Sequence, residues 1–170
     1  FTAGMGSNSI VSREGAELSH VYEVGNILMD TLRFNHNRLQ RPAVMDDLKL
    51  KNGKYIVFTL NRKALIADKE NLGNMIYAMN KAAGNTPIIA VLRNNAKEVV
   101  SQLTADMADI HIIDSLPYLE FGYLTAHAMG IITDSGNVAE EATFNMVPCI
   151  TLNSYTEHIE TVKTGTTLVK

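Results

Sequence analysis

A turn of small residues precedes a predicted helix late in the chain, and its composition suits the binding of an anion. Residues 131–142 read Ile-Ile-Thr-Asp-Ser-Gly-Asn-Val-Ala-Glu-Glu-Ala, which predicts a strand, a tight turn and a helix. Ser135, Gly136 and Asn137 lie where that helix begins, and the unpaired backbone N–H groups of a helix start favour a phosphate. Gly136 lets a ligand approach the backbone closely. Glu141, about one helical turn further on, can accept hydrogen bonds from the two hydroxyls of a ribose.

The same residues also have a purely structural interpretation. Asp134 or Ser135 can cap the helix, and Glu140 and Glu141 are favourable in its first turns. The Gly-x-Gly-x-x-Gly dinucleotide fingerprint and the Walker-type Gly-Lys-Ser/Thr motif are both absent from the sequence. From these residues alone, helix capping and anion binding stay equally open.

The overall composition excludes several classes of protein. Of 170 residues, 46% are apolar and 19% are charged, which is typical of one globular domain with a sizeable core. A formal net charge of -3 argues against a nucleic-acid partner bound through bulk positive charge. No apolar run reaches the ~18 residues that a membrane span needs. The five histidines lack zinc-site spacing and the single Cys149 lies in an apolar run, so we predict no metal site. We also expect no cofactor and no membrane partner.

Short β-rich runs alternate with helical patterns along the chain, which predicts a doubly wound α/β domain with a parallel sheet. Most of the runs are continuously apolar, as expected for strands covered on both faces. The predicted strands are 20–24, 54–60, 87–92, 110–113, 130–133, 148–152 and 167–169. The predicted helices are 26–39, 68–83, 94–104, 117–128 and 137–146, with Asp68 capping the second of them.

Polar residues follow most of these strands, and ligands of such sheets bind beyond the carboxyl ends of the strands. Asn61 and Arg62 follow the second predicted strand, and Arg93 follows the third. Any one such loop is polar simply because loops face water. Only the turn at Asp134–Asn137 combines this position with a specific chemistry.

Five segments in the same order resemble motifs of the UDP-N-acetylglucosamine 2-epimerase family. The central one, 133–141, is close to the family's Thr-Asp-Ser-Gly-Gly-x-x-Glu-Glu signature. Segment 24–30 resembles the family's Val-Gly-Asn-x-x-x-Asp, and segment 59–62 resembles its Thr-x-His-Arg. Segment 118–121 resembles Tyr-x-x-Phe, and 153–160 with 165–166 resembles Arg-x-x-Thr-Glu-Arg-Pro-Glu followed by Gly-Thr. The resemblance runs from about residue 20 to the end of the chain, and it implies the C-terminal half of such a protein.

The resemblance implies a Rossmann-like C-terminal lobe of the two-domain glycosyltransferase-B arrangement. We therefore expect a segment over 1–40 that leads from an N-terminal domain, and a nucleotide-binding domain over 41–170. The absent initiator Met and the β-type terminal run agree with a piece of a longer protein. The resemblance implies a family that interconverts UDP-GlcNAc and UDP-ManNAc by loss of UDP to a glycal, followed by re-addition of UDP with the configuration at C2 inverted. Its members are often cytoplasmic homodimers that feed cell-surface polysaccharide synthesis.

Residue by residue, the resemblance assigns substrate binding and leaves the catalytic groups unknown, since it places them in the N-terminal domain. By resemblance, the residues that hold the UDP-sugar are Arg62, Phe121, Ser135, Gly136, Asn137, Glu141 and Glu157. The diphosphate falls to the Ser135–Asn137 turn and to Arg62, the ribose to Glu141 and the region of the uracil to Phe121.

Four positions depart from the family pattern. Asn61 replaces a His and Asn137 a Gly, while Asn153 and His158 each replace an Arg. Cations are thereby lost or made pH-dependent around an expected diphosphate, with Arg62, Arg93 or Lys163 as compensating groups. Three interpretations remain open: half of an epimerase that is inactive alone, a catalytically altered UDP-sugar-binding or regulatory relative, and a glycosyltransferase of the same architecture.

Overall fold

The computed structural model describes residues 1–156 and 158–168. The chain divides into two compact units, Phe1–Arg38 and Leu39–Lys170. The larger unit contains the sheet and the residues of the candidate site.

The smaller unit is helical. It contains helix α1 (Met5–Arg13) and helix α2 (Ile27–Asn35), with short 3-10 turns at Leu18–His20 and His36–Arg38. Helix α2 confirms the helix predicted over 26–39, and the Asn26 side chain caps it by accepting a hydrogen bond from the Leu28 N–H at 3.0 Å. Helix α1 was not predicted, because its residues carry no clear apolar stripe.

The strand predicted over 20–24 is wrong. This run contains the end of a 3-10 turn and then a single parallel bridge between Thr2 and Glu23. Its apolar members Tyr22 and Val24 are 59% and 65% exposed. A β-rich run becomes a strand only where a neighbouring strand pairs with it, and here one bridged residue is the whole of the pairing.

The larger unit is built on one six-stranded sheet in which every pairing is parallel. The other predicted strands are confirmed within two residues at each end over the described residues. The observed strands are β1 (Ile56–Thr59), β2 (Ile88–Val91), β3 (Ile110–Ile113), β4 (Gly130–Thr133), β5 (Cys149–Thr151) and β6 (Thr166–Leu168).

The strand order is β3-β2-β1-β4-β5-β6, which confirms the predicted doubly wound, Rossmann-like class. The order reverses between β1 and β4, so the helices that follow these two strands pack on opposite faces of the sheet and leave a crevice at the strand ends. The sheet therefore predicts a ligand site beyond Thr59 and Thr133, the last residues of β1 and β4.

Seven helices flank this sheet in the described part of the unit. They are α3 (Val44–Asp47), α4 (Lys63–Ala67), α5 (Lys69–Ala83), α6 (Asn94–Leu103), α7 (Tyr118–Ala126), α8 (Gly136–Phe144) and α9 (Ile159–Lys163). The predicted cap of α5 is confirmed, since Asp68 Oδ1 accepts from the Asn71 N–H at 3.2 Å. Helices α3, α4 and α9 were not predicted because four or five residues are too few to show helical periodicity.

Alternate residues of the central strands pack into separate cores on the two faces of the sheet. Phe58 and Ala90 belong to the core under α5 and α6, whereas Val57 and Ile89 belong to the core that includes Leu124 of α7. This burial on both sides explains why the strands read as continuous apolar runs. Within residues 1–156 and 158–168, every helix is too short or too polar to cross a lipid bilayer.

Candidate functional site

The crevice begins where β1 and β4 end side by side. Thr59 and Thr133 are register partners, and their hydroxyl oxygens are 2.6 Å apart and hydrogen-bonded. Asn61 and Ser135 follow these two residues by two positions, just beyond the ends of the strands. The parallel register therefore brings the loop after β1 next to the turn before α8.

Asp134 joins these two loops. Its Oδ2 accepts hydrogen bonds from the backbone N–H groups of Asn61 at 2.7 Å and Arg62 at 2.5 Å, and the residue is 3% exposed. A buried carboxylate is stable only when such donors satisfy it. Asp134 thus fixes the backbone that carries Arg62, a role that its adjacency to Ser135 in sequence did not indicate.

Ser135 caps helix α8, as the structural interpretation of the turn predicted. Its Oγ accepts from the Val138 N–H at 3.5 Å, and its own N–H donates to Thr133 Oγ1 at 3.0 Å. The N–H groups of Gly136 and Asn137 have no acceptor among the described residues. Capping therefore takes one donor of the helix start and leaves two for a ligand, so capping and anion binding are compatible here.

Two adjoining pockets open at this edge of the sheet. The first, which we call the turn pocket, has a volume of about 290 Å³ and is lined by Asn61, Arg62, Asp134, Ser135, Gly136 and Asn137. The second, the sheet-edge pocket, has a volume of about 260 Å³ and is lined by Thr59, Leu60, Asn61, Val91, Arg93, Ser115, Leu116, Phe121, Asp134, Ser135 and Val138. They share Asn61, Asp134 and Ser135.

The structure brings together most of the predicted site residues. Four of the predicted substrate-binding residues, Arg62, Ser135, Gly136 and Asn137, line the turn pocket, and Phe121 lines the sheet-edge pocket beside it. Glu141 lines neither pocket. Glu157 lies outside the described residues.

Arg62 supplies positive charge at the turn pocket. Its guanidinium carbon lies 5.8 Å from the ring centroid of Tyr155, within the range of a cation–π contact. Both side chains are exposed, and the aromatic ring brings no negative charge, so the positive charge of Arg62 is available to a ligand. The arrangement can bind an anion between this cation and two backbone N–H groups.

Two departures from the family pattern have structural roles of their own. Asn153 is 8% exposed, and its Nδ2 donates to the backbone carbonyl of Asp134 at 3.2 Å. His158 Nδ1 lies 3.0 Å from Glu140 Oε1, so the imidazole pairs with a carboxylate of α8. Neither residue lines the two pockets, and Lys163 does not line them either. Of the proposed compensating cations, Arg62 and Arg93 are the ones at the pockets.

Glu141 sits half-buried on α8 in an environment that opposes its charge. Burial raises the pKa of the Glu141 carboxyl, and the negative charge of Glu140 raises it further. A carboxyl whose pKa is raised on folding makes the native protein bind protons more tightly than the unfolded chain. The free energy of unfolding therefore falls as the pH rises from the unfolded pKa through the folded pKa.

Cys149 offers no nucleophile. It is 2% exposed, and burial raises the pKa of its thiol to about 11. The thiol is therefore protonated at neutral pH and belongs to the core, as its apolar strand predicts. In the described ranges, no three His, Cys, Asp or Glu side chains are grouped in a way that could hold a metal ion.

Comparisons with known proteins agree on one family. The family model for UDP-N-acetylglucosamine 2-epimerase matches residues 1–169. A UDP-N-acetylglucosamine 2-epimerase homolog of Methanococcus maripaludis is 32% identical over 154 residues, which is 86% of this chain and 43% of the relative. The UDP-N-acetylglucosamine 2-epimerase of Methanocaldococcus jannaschii is 31% identical over 173 residues, 92% of this chain and 46% of the relative.

The fold comparison gives the same answer. The crystal structure of the Methanocaldococcus jannaschii UDP-GlcNAc 2-epimerase in complex with UDP-GlcNAc and UDP superposes with a TM-score of 0.81 at 30% identity. That match covers 96% of this chain and 48% of the solved one. This chain thus spans about half the length of the relatives it matches. With the family model matching nearly every residue, the chain belongs to the UDP-N-acetylglucosamine 2-epimerase family.

Proposed function

We propose that this chain is the UDP-binding part of a UDP-N-acetylglucosamine 2-epimerase. The observation that carries the proposal is the turn pocket, where the unpaired N–H groups of Gly136 and Asn137 adjoin the cationic side chain of Arg62. A helix start with a neighbouring guanidinium is suited to a diphosphate. The sheet-edge pocket beside it has apolar walls, including Phe121 and Leu116, that suit a flat base.

We further propose that the diphosphate lies across Ser135–Asn137 and Arg62, and that Glu141 binds the ribose. Glu141 follows Asn137 by four residues on α8, so it lies one turn from the phosphate end on the same helix. Glu157, assigned by resemblance, is retained as a substrate-binding residue in this proposal.

The chemistry at C2 is assigned to groups outside this chain. Epimerisation at a carbon needs a base that can remove a proton, and in proteins this is most often an imidazole or a carboxylate. The one described carboxylate that lines the pockets is Asp134, whose Oδ2 already accepts two backbone hydrogen bonds. We therefore place the acid and base on the N-terminal domain, with residues 1–40 leading from that domain and 41–170 forming the nucleotide-binding domain.

The reaction is tested on the longer protein. Incubation with UDP-N-acetylglucosamine, followed by proton NMR, is expected to show the manno epimer as UDP is lost and re-added with C2 inverted. A complete lack of exchange at C2 over long incubation contradicts the epimerase assignment.

The nucleotide site is tested on this chain alone. Titration with UDP is expected to shift the backbone amide NMR signals of Ser135, Gly136 and Asn137, because the phosphates accept hydrogen bonds from the two unpaired N–H groups. The same titration with uridine, which lacks phosphates, is the control and is expected to leave those signals in place. Absence of shifts at millimolar UDP contradicts the site assignment.

A second candidate function is favoured by Asn61, whose neutral amide stands at the turn pocket where the family has a histidine. In this alternative, the chain comes from a UDP-sugar-binding or regulatory relative that no longer catalyses epimerisation. The glycosyltransferase interpretation gains no support from the family match.

Asn61→His is expected to tighten UDP binding by about tenfold, the effect of one added hydrogen bond between a cation and a phosphate. The gain is expected to be larger at about pH 6 than at about pH 8, because imidazole is protonated below its pKa of about 6.5. The Asn61 N–H is held by Asp134 whatever side chain it carries, so the loop is retained. Isothermal titration calorimetry measures the change, and Asn61→Gln, which adds length without charge, is the control. Equal affinities for N61H and N61Q at both pH values contradict a phosphate beside Asn61.

Glu141→Gln is expected to weaken UDP binding by about three- to tenfold while making the folded protein more stable. The variant removes the charge that burial opposes, so at neutral pH its unfolding midpoint is expected to rise by about 2 °C. The rise is expected to vanish below the ordinary carboxyl pKa, where the wild-type side chain is protonated in both states. Thermal unfolding followed by circular dichroism at neutral and acidic pH measures it. A midpoint that falls at neutral pH shows instead that the folded protein stabilises the charged carboxylate.

The remaining parts of the proposal rest on the family resemblance. We place the whole protein in the cytoplasm as a homodimer that acts on UDP-GlcNAc and UDP-ManNAc in the supply of cell-surface polysaccharides. Size-exclusion chromatography with light scattering on the longer protein tests the dimer.

A further inference from the structure

Four polar residues form a row across the floor of the site. Val91, Thr59 and Thr133 are register partners in adjacent strands, and Ile113 pairs with Val91 in the same way. The residues two positions further on all line the sheet-edge pocket, in the order Ser115, Arg93, Asn61 and Ser135. With neighbouring strands about 4.8 Å apart, Arg93 stands roughly 10 Å from Ser135.

Arg93 brings an unneutralised charge into this pocket. No carboxylate in the described part of the chain lies within 4.0 Å of its guanidinium, whereas the nearby Lys97 pairs with Asp114 at 2.5 Å. Arg93 is the cationic side chain that lines the sheet-edge pocket, whereas Arg62 lines the turn pocket. A guanidinium without an ion-pair partner in a pocket has donors to offer a ligand.

The proposed function sets the direction in which a nucleotide lies along this row. It places the phosphates at the start of α8, and from there the sheet-edge pocket offers the base the apolar side chains of Val138 and Phe121, with Arg93 beyond them. In a uracil ring, the C4 carbonyl lies opposite the N1 atom that joins the ribose. The edge that reaches furthest from the phosphates is therefore the edge that carries this carbonyl.

We propose that Arg93 donates a hydrogen bond to the C4 carbonyl oxygen of the base and so selects uracil over cytosine. The inference rests on the proposed function, since it takes the phosphates to lie at Ser135. A guanidinium has donors and no acceptor, so it pairs with the C4 carbonyl of uracil and opposes the C4 amino group of cytosine. Arg93 is thus a specificity-determining residue for the base, distinct from the residues that hold the phosphates.

The test compares the dissociation constants of UDP and CDP, measured by isothermal titration calorimetry, for this chain and for Arg93→Met. The wild type is expected to bind UDP at least about tenfold more tightly than CDP, and R93M is expected to bring the ratio close to one. Methionine keeps an unbranched apolar side chain and removes every donor. Circular dichroism of the variant checks that it is folded.

The control variant is Lys97→Met, which removes one positive charge from α6, the helix that Arg93 precedes, at a position that lines neither pocket. It is expected to leave the UDP to CDP ratio unchanged. If R93M weakens both nucleotides equally, Arg93 acts on the phosphates and the inference is overturned. If R93M changes neither affinity, the inference is also overturned while the proposed function stands. If the wild type binds neither nucleotide, the proposed function itself has failed.

Discussion

Asp134→Ala is expected to weaken UDP binding by at least about tenfold and to lower the free energy of unfolding by about 2 kcal/mol. Asp134 Oδ2 holds the N–H groups of Asn61 and Arg62, and removing it frees the loop that carries the guanidinium. Losing the contact of one positioned cation with a phosphate costs about 1.5–3 kcal/mol. The stability loss is smaller than for two fully buried bonds, because Asn61 and Arg62 are exposed and water reaches the freed donors.

Asp134→Asn separates this positioning role from the effect of the charge. The asparagine oxygen can accept the same two hydrogen bonds, so the loop stays in place, while the repulsion between a carboxylate and the diphosphate disappears. We expect UDP affinity within about threefold of the wild type, or somewhat tighter. Calorimetric titration and urea unfolding of both variants measure the two effects. If D134N loses as much affinity as D134A, the carboxylate charge is itself required and the positioning role is wrong.

The scaffold of the site was predictable because it depends on local patterns. Strands buried on both faces must be apolar along their whole length, which places β1 and β4 along the chain. The turn Asp134–Asn137 then follows β4 as a run of residues that suit a helix start. Strand and turn together indicate where a ligand site can lie, although the same residues are equally consistent with helix capping alone.

The connections across the site were not predictable, because they join residues distant in sequence. Asp134 lies 73 residues from Asn61, and nothing near either position indicates the bond between them. Asn153 and His158 read as altered phosphate contacts, yet they bind the Asp134 carbonyl and the Glu140 carboxylate. A polar side chain takes whichever partner the fold brings near, and sequence spacing does not reveal that choice.

Tyr22 and Val24 show the same limit for the fold. Their β-rich run lies in the smaller unit, where a single bridge from Thr2 is the pairing it receives, so it does not extend into a strand. β-propensity indicates which residues fit a sheet, but a run becomes a strand only where the fold places another strand beside it.

Ser135→Asp is expected to weaken UDP binding by at least about 30-fold while leaving the protein at least as stable as the wild type. Aspartate is as good a helix cap as serine, and a negative charge at the start of α8 interacts favourably with the helix dipole. The same charge stands at the turn pocket beside Gly136 and Asn137. Repulsion from a diphosphate about 4 Å away is worth roughly 4 kcal/mol near a protein surface, and salt screening reduces it.

Ser135→Asn is the matched control, because asparagine also caps a helix and carries no charge. It is expected to bind UDP within a few-fold of the wild type, and both variants are expected to unfold within about 2 °C of it. Thermal unfolding and calorimetric titration measured on the same samples give the two quantities. If S135D binds UDP as tightly as S135N, no phosphate lies at the start of α8. An aspartate at position 135 that keeps the protein stable yet weakens UDP binding is explained by an anion bound at the start of α8.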